Sequence, residues 1–191
     1  MKEKNNFRKS SIKRLKKISN TKMKYKIDKD ITKKLKDEIK RNNAKNIMLY
    51  IPLDIEVNIM LLIKELRAKK KIIFVPFMES KSFRLVKYRL PLKNKQFGVR
   101  EPKSSRVYKK IKIDLSIVPI VATDSTLRRV GFGKGMYDRF FAIYKKDIKR
   151  TIFVMRSLCF SKNIITNSYD IKCDILITKE GIKKRRYNRV L

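Results

Sequence analysis

Three features of this sequence predict an α/β fold, a three-layer sandwich with a mostly parallel sheet flanked by helices. Apolar runs of strand length alternate with amphipathic stretches along most of the chain. Residues 46–76 carry a strand, a helix and a second strand at the spacing of a βαβ unit, which demands parallel pairing and a right-handed crossover. Finally, 191 residues with 42% hydrophobic content suffice for one core. One α/β domain over 1–191 is therefore expected, with residues 1–45 as a basic helical segment packed on it.

The elements follow in order. Residues 4–18 place Phe7, Ile12, Leu15 and Ile18 among lysines and arginines, a loosely amphipathic helix. Residues 28–41 repeat the pattern with Ile31, Leu35 and Ile39 at intervals of four. "NIMLYIPL" (46–53) reads as a buried strand and "EVNIMLLIKELRAKK" (56–70) as a helix with one apolar face. "KIIFVP" (71–76) is the next strand, ended by Pro76, and "FRLVKYRL" (83–90) alternates like an exposed strand. "IDLSIVPIVA" (113–122) is a buried strand interrupted at Pro119. "MYDRFFAIYKK" (136–146) is a helix, followed by strands at "TIFVMR" (151–156) and "DILITK" (174–179).

Composition excludes several classes of function. The chain has no histidine, which removes Ser-His-Asp and Cys-His catalysis and His-dependent zinc sites. Cys159 and Cys173 stand alone without CxxC spacing, so neither a disulfide framework nor a zinc site is expected. No run approaches eighteen apolar residues, and the basic N-terminus lacks the apolar stretch of a secretory signal. A cytoplasmic protein is the expectation. The formal charge of +35 invites a nucleic-acid reading. Yet the lysines are spread along the chain among many isoleucines and asparagines, the product of AT-rich codons, and no RNA-binding motif accompanies them. Nucleic acid is not the expected partner, although such a field attracts any small polyanion.

The informative motif is "RRVGFGKGMYDRF" (128–140), which holds three of the chain's five glycines. It follows a strand and opens a helix, where α/β sheets bind ligands. Glycines let backbone N–H groups crowd phosphate oxygens, and Arg129 and Lys134 supply cationic donors. A tight strand-to-helix turn would use the same glycines. Familiar phosphate loops do not fit. Lys134 is followed by Gly135 and Met136 rather than Ser or Thr, the dinucleotide spacing differs, and HRD and DFG elements are absent.

With its flanks, the stretch resembles the central motif of the 5-formyltetrahydrofolate cyclo-ligases, also called methenyltetrahydrofolate synthetases. The matching residues are Val118-Pro119, Asp124 and the run Arg129-Val130-Gly131-Phe132-Gly133-Lys134-Gly135-Met136-Tyr137-Asp138-Arg139. The likeness spans essentially the whole chain. "KNNFRK" places Lys4 and Arg8, "YIPLDIEVN" places Ile51 and Glu56, "FGVREP" places Glu101 and Pro102, and "YDIKCDILIT" places Asp170 and Asp174. This chain departs at Ile120 for a glycine, Thr123 for a phenylalanine, Leu127 for a turn glycine and Met136 for a tyrosine.

The resemblance implies an enzyme that uses MgATP to phosphorylate the formyl oxygen of 5-formyltetrahydrofolate. Attack by N10 and loss of phosphate then give 5,10-methenyltetrahydrofolate and ADP. A formyl oxygen carries no proton, so a chain without histidine can run this step by alignment and charge neutralisation. By the same resemblance, the ATP site takes Lys4, Arg8, Arg129, Val130, Gly131, Phe132, Gly133, Lys134, Gly135, Met136 and Tyr137. Arg129 and Lys134 would be catalytic. Arg8, Ile51, Glu56 and Tyr137 would meet the folate, and Asp138 and Asp170 would hold Mg²⁺. Each has a plainer reading: Lys4 and Arg8 on a solvated basic helix, Asp138 and Glu56 as helix-start acids, Tyr137 as a core aromatic. A monomer acting on ATP and the folate is expected. The second class left open is a non-catalytic basic protein of the same fold that binds a polyanion such as RNA.

Overall fold

The structure is a computed structural model that describes residues 2–79, 81–94, 100–103 and 111–185. Its centre is a seven-stranded sheet in the order β12-β11-β9-β6-β1-β2-β3. Five of these strands run parallel: β1 (Asn46–Met48), β2 (Ile72–Glu79), β6 (Leu115–Pro119), β9 (Thr151–Val154) and β11 (Ile175–Thr178). Each edge is closed by an antiparallel partner, β3 (Ser82–Lys87) on β2 and β12 (Gly181–Lys184) on β11.

Period-two alternation decides which side chains face which layer. Ile47, Ile73, Val75, Ile117, Ile152, Val154, Ile175 and Ile177 pack to one face with α2 (Met23–Arg41) and α3 (Met60–Ala68). Met48, Phe74, Val118, Phe153 and Leu176 face the other way, onto α4 (Met136–Tyr144) and a small sheet. That small sheet has the order β10-β7-β8, built from Phe160–Ser161, Ala122–Asp124 and Arg129–Val130. A further hairpin pairs β4 (Leu92–Asn94) with β5 (Arg100–Pro102). Helix α1 (Lys2–Ser19) buries Leu15 with the α4 side, and Phe7 and Ile12 pack beside it. Helices, sheet, then helix with small sheet make the three layers.

Several expected elements are shortened or recast. The expected strand at 46–53 pairs only to Met48; beyond it the chain loops to α3, which starts at Met60 rather than 56. Asn58 accepts the Met60 N–H on its side chain, the turn-forming habit of asparagine. The strand at 83–90 is not exposed: Phe83, Leu85 and Val86 are buried, because Phe140 of α4 stacks on Phe83 at 4.4 Å. The glycine motif follows a two-residue strand of the small sheet, not a strand of the main one. Leu127, where the family resemblance expects a glycine, takes the left-handed conformation at φ 57° and closes the turn by donating its N–H to the Asp124 carbonyl at 2.9 Å. Of "FGVREP", residues 97–99 lie outside the described residues. Glu101 is buried and accepts the Met78 N–H at 2.8 Å, a latch on β2.

The topology places the site. From β1 the chain crosses to β2 on one side, then returns to β6 on the other, so the sheet's switch point lies between β1 and β6. Ligands of open α/β sheets bind outside the carboxyl ends of strands at such a point. The segment carrying Tyr50, Ile51 and Glu56 leaves the end of β1, and Pro119 ends β6.

Candidate active site

Arg129 is the hub. It is buried, and its Nε and Nη2 both donate to the Pro119 carbonyl at 3.2 Å, which ties the small sheet back to the switch point. Its guanidinium lies 4.6 Å from the Tyr137 ring centre, and Tyr137 meets Phe83 edge-on at 4.9 Å. Tyr137 is therefore packed between Arg129 and Phe83. Burial pulls the Arg129 pKa down, while Asp138, Tyr137, Glu56 and Asp170 act to raise it. Three carboxylates thus lie within electrostatic reach of Arg129.

Glu56 does not cap a helix, because α3 begins four residues later. Its Oε2 accepts the Leu53 N–H at 2.9 Å, and burial pushes its pKa up to about 7 against the pull of that bond and of Arg129 and Arg156. Ile51 is buried on the same loop. Beneath lies Tyr50, whose hydroxyl donates to the Val57 carbonyl at 2.8 Å and whose pKa is raised by burial, with Glu56 adding to it. The tyrosine is a fixed floor rather than a base.

On the opposite side, α1 brings two cations one turn apart to the glycine loop. Lys4 Nζ pairs with Asp170 Oδ2 at 2.5 Å, and Arg8 Nε donates to the Gly131 carbonyl at 2.7 Å. Neither lies on a purely solvated face. Asp170 Oδ2 also accepts the Asn167 N–H at 2.7 Å. Asp138 sits in the first turn of α4, so the helix-start reading holds, yet its Oδ1 also accepts the Ile171 N–H at 3.3 Å. That bond draws Asp138 to the residue next to Asp170.

The three glycines have separate reasons. At Gly131 a Cβ would lie 2.2 Å from Arg129 Nη1, so the missing side chain is what lets the guanidinium fold back. Gly133 has φ +98°, open to glycine but strained for others, and a Cβ there would make ordinary contact with Arg8 at 3.7 Å. Gly135 has φ +63° and begins α4, with a Cβ position 2.8 Å from Arg139 Nη1. Arg139 in turn donates to the Lys134 and Lys81 carbonyls at 2.5 Å each. Between these glycines, Phe132 and Lys134 are exposed at the tip, while Val130 is buried beneath and Met136 half-buried. The chain belongs to the 5-formyltetrahydrofolate cyclo-ligase family. Its family model matches residues 1–179, which include every residue of this constellation.

The family's named members give the scale of the likeness. A 5-formyltetrahydrofolate cyclo-ligase from Haemophilus influenzae is 32% identical over 122 residues, 60% of this chain and 65% of that one. A probable 5-formyltetrahydrofolate cyclo-ligase from Schizosaccharomyces pombe is 32% identical over 103 residues, 46% of this chain and 49% of that one. The matched stretches thus span less than two thirds of these relatives' lengths. The solution structure of Aquifex aeolicus 5,10-methenyltetrahydrofolate synthetase superposes with a TM-score of 0.81 at 27% identity, covering 98% of this chain and 95% of that one. A 5,10-methenyltetrahydrofolate synthetase from Mycoplasma pneumoniae shares the fold with a TM-score of 0.71 at 21% identity, over 91% of this chain and 97% of that one.

Sequence reading missed one buried residue that holds the loop carrying Glu56. Arg156 is buried at the end of β9, where its Nε and Nη2 grip Asp28 at 2.8 and 2.9 Å. Its Nη1 reaches Ser19 Oγ at 2.6 Å and the Asp54 carbonyl at 2.7 Å. One guanidinium therefore pins the α1–α2 joint and the loop that carries Glu56. The available signal was an arginine closing an otherwise apolar strand. The cysteines take no part: both are buried thiols, and burial pushes Cys173 up to about 12 and raises Cys159. No described helix is long and apolar enough to cross a membrane.

Proposed function

We propose that this chain catalyses the ATP- and Mg²⁺-dependent cyclisation of 5-formyltetrahydrofolate to 5,10-methenyltetrahydrofolate, with release of ADP and phosphate. The observation that carries the reading is Arg129, a desolvated cation held between a glycine loop and the Glu56–Tyr137 pocket. A cation fixed in this way stabilises negative charge developing on a transferring phosphoryl group without reorganising. Family membership supplies the substrate class.

In this reading the N–H groups of Gly131, Gly133 and Gly135 face the ATP phosphates, with Lys4, Arg8 and Lys134 adding positive charge around them. Glu56, in its carboxylate form, accepts N–H bonds from the pterin ring, while Ile51 and Tyr137 bound the ring's apolar faces and Arg8 lies towards the folate. The formyl oxygen takes the γ-phosphoryl group as ADP leaves. N10 then bonds to the formyl carbon, the carbon–oxygen bond to phosphate breaks, and the N10 proton is lost. The first step needs no protein base, consistent with a chain that has no histidine.

The acids fit magnesium. Asp138 and Asp170 are hard oxygen donors, each steadied by a backbone N–H, and the Lys4 ammonium on Asp170 marks a position where positive charge is favoured. One or two carboxylates completed by phosphate and water are the usual magnesium set. Among the described residues there is no group of three or more acidic or thiol ligands that would cage a metal alone. The bound ion would neutralise phosphate charge. A cytoplasmic monomer completes the proposal.

The test is production of the methenyl product, followed by its absorbance, from 5-formyltetrahydrofolate with ATP and Mg²⁺, together with stoichiometric ADP. Omitting ATP or Mg²⁺ should abolish it. A folded protein that gives no product under complete conditions would leave the non-catalytic polyanion-binding reading in its place.

A further inference from the structure

A second basic site lies apart from the glycine loop. Where the β7–β8 turn meets the end of β12, a cleft of about 360 Å³ opens, lined by Ser125, Thr126, Leu127, Lys172, Lys183, Lys184 and Arg185. Four of these seven are cations, drawn from two separate stretches of chain. Arg128 bridges Lys172 across an isolated antiparallel contact, and its buried Nε has no hydrogen-bond partner among the described residues. Arg128 immediately precedes β8, so it stands beside a lining cation of this cleft and next in the chain to Arg129.

Acids stand nearby as well. Asp124 accepts bonds from Thr126, Ile165 and Thr166. Glu38 is shared between Lys184 at 3.3 Å and Arg41 at 2.5 Å. Lys172 is half-buried. Crowded cations of this kind are relieved by an anion with several charges. Lysines and arginines converging with a Ser hydroxyl match phosphate chemistry, and the volume suits a small ligand. Among the described residues no aromatic ring lines the cleft to stack a nucleobase, which disfavours single-stranded nucleic acid.

We propose that this cleft binds a small anion carrying two or more phosphate groups, at a site distinct from the glycine loop. The proposal does not rest on the ligase reading, and a site-resolved probe keeps the two apart. Inorganic pyrophosphate titrated into ¹⁵N-labelled protein at about 0.15 M salt should move the amide signals of Ser125, Thr126, Lys172 and Lys184 in a saturable way. Lys172→Met should weaken that response about tenfold, the worth of one charge-assisted bond, while Lys16→Met on exposed α1 should not. If Lys172→Met fails to fold, Arg185→Gln should give the same loss. Three results would overturn the proposal: shifts confined to residues 129–138, a response that weakens equally in Lys16→Met, or stronger movement of these amides by a short oligoribonucleotide at equal phosphate concentration.

Discussion

The two halves of the site solve opposite problems. The glycine loop is exposed at its tip and shaped by backbone, with arginines filling the space where side chains are absent. The Glu56 side is less open, with Tyr50 buried and Glu56 and Tyr137 half-buried, and the pKa values of all three are raised by desolvation. One half suits a ligand rich in charge that brings its own solvation shell. The other suits a flat heterocycle with a few N–H groups. Arg129 belongs to both, and that is why its neighbours on each side are so constrained.

The largest effect should come from separating the halves. Arg129→Met should lower turnover on the order of 10²–10³-fold, the usual cost of losing a fixed transition-state donor. Gly131→Ala should approach the same loss, since its Cβ occupies the place of the guanidinium. Gly133→Ala should be milder, with backbone strain of about 1–3 kcal/mol and no steric conflict, and should show as a raised KM for ATP. Equal damage at both glycines would mean that Arg129 does not depend on Gly131.

Arg156→Met tests what anchors the side proposed to take the folate. Removing one partner of a buried pair costs about 3–5 kcal/mol, read as a lower denaturation midpoint, and Asp28→Leu in the same chain should recover part of it. Because Arg156 also holds the Asp54 carbonyl, the KM for the folate should rise more than that for ATP.

Glu56→Gln separates the halves by pH. A carboxyl whose pKa is raised from 4.5 to about 7 binds more protons folded than unfolded, so it lowers stability as pH rises across that window. The glutamine variant should flatten this slope and melt higher than the parent at pH 8, yet bind the folate less well there. Folate affinity of the parent should itself fall below pH 7, while ATP affinity follows the carboxyl much less. An unchanged melting profile would place Glu56 in water rather than in a desolvated pocket.

The smallest effect compares two equal charge losses on α1. Arg8→Ala should raise the KM for ATP about tenfold, through loss of the bond to Gly131 and of a cation beside the loop, whereas Lys16→Ala should leave it unchanged. Equal effects would reduce Arg8 to part of a general positive field.

Much of this contrast was legible in the sequence. The parallel strands and their helices announced themselves because residues buried on both faces must be apolar in runs, as in β6 and β9. The glycine loop was legible because three of the chain's five glycines cluster there, two of them, Gly133 and Gly135, at the positive φ that glycine adopts most readily. The small sheet was not, since strands of two or three residues leave no periodicity to read. Nor was the reason for Gly131, which depends on where a neighbouring side chain folds back. By charge and periodicity alone Lys4 and Arg8 were indistinguishable from other cations of a lysine-rich helix; only the family resemblance singled them out, and the structure sets them beside Asp170 and Gly131. Burial around Arg156 and Glu56 is a tertiary property, and no local pattern encodes it.

The central claim is that one site joins phosphate chemistry to a formyl oxygen across Arg129. Its most direct test uses 5-formyltetrahydrofolate carrying ¹⁸O in the formyl group, turned over with unlabelled ATP and Mg²⁺ in ordinary water. The account predicts that one ¹⁸O appears in the released inorganic phosphate for each methenyltetrahydrofolate formed, and none in ADP. Methenyl product formed with unlabelled phosphate would contradict it, because the formyl oxygen would then have left without ever bonding to phosphorus.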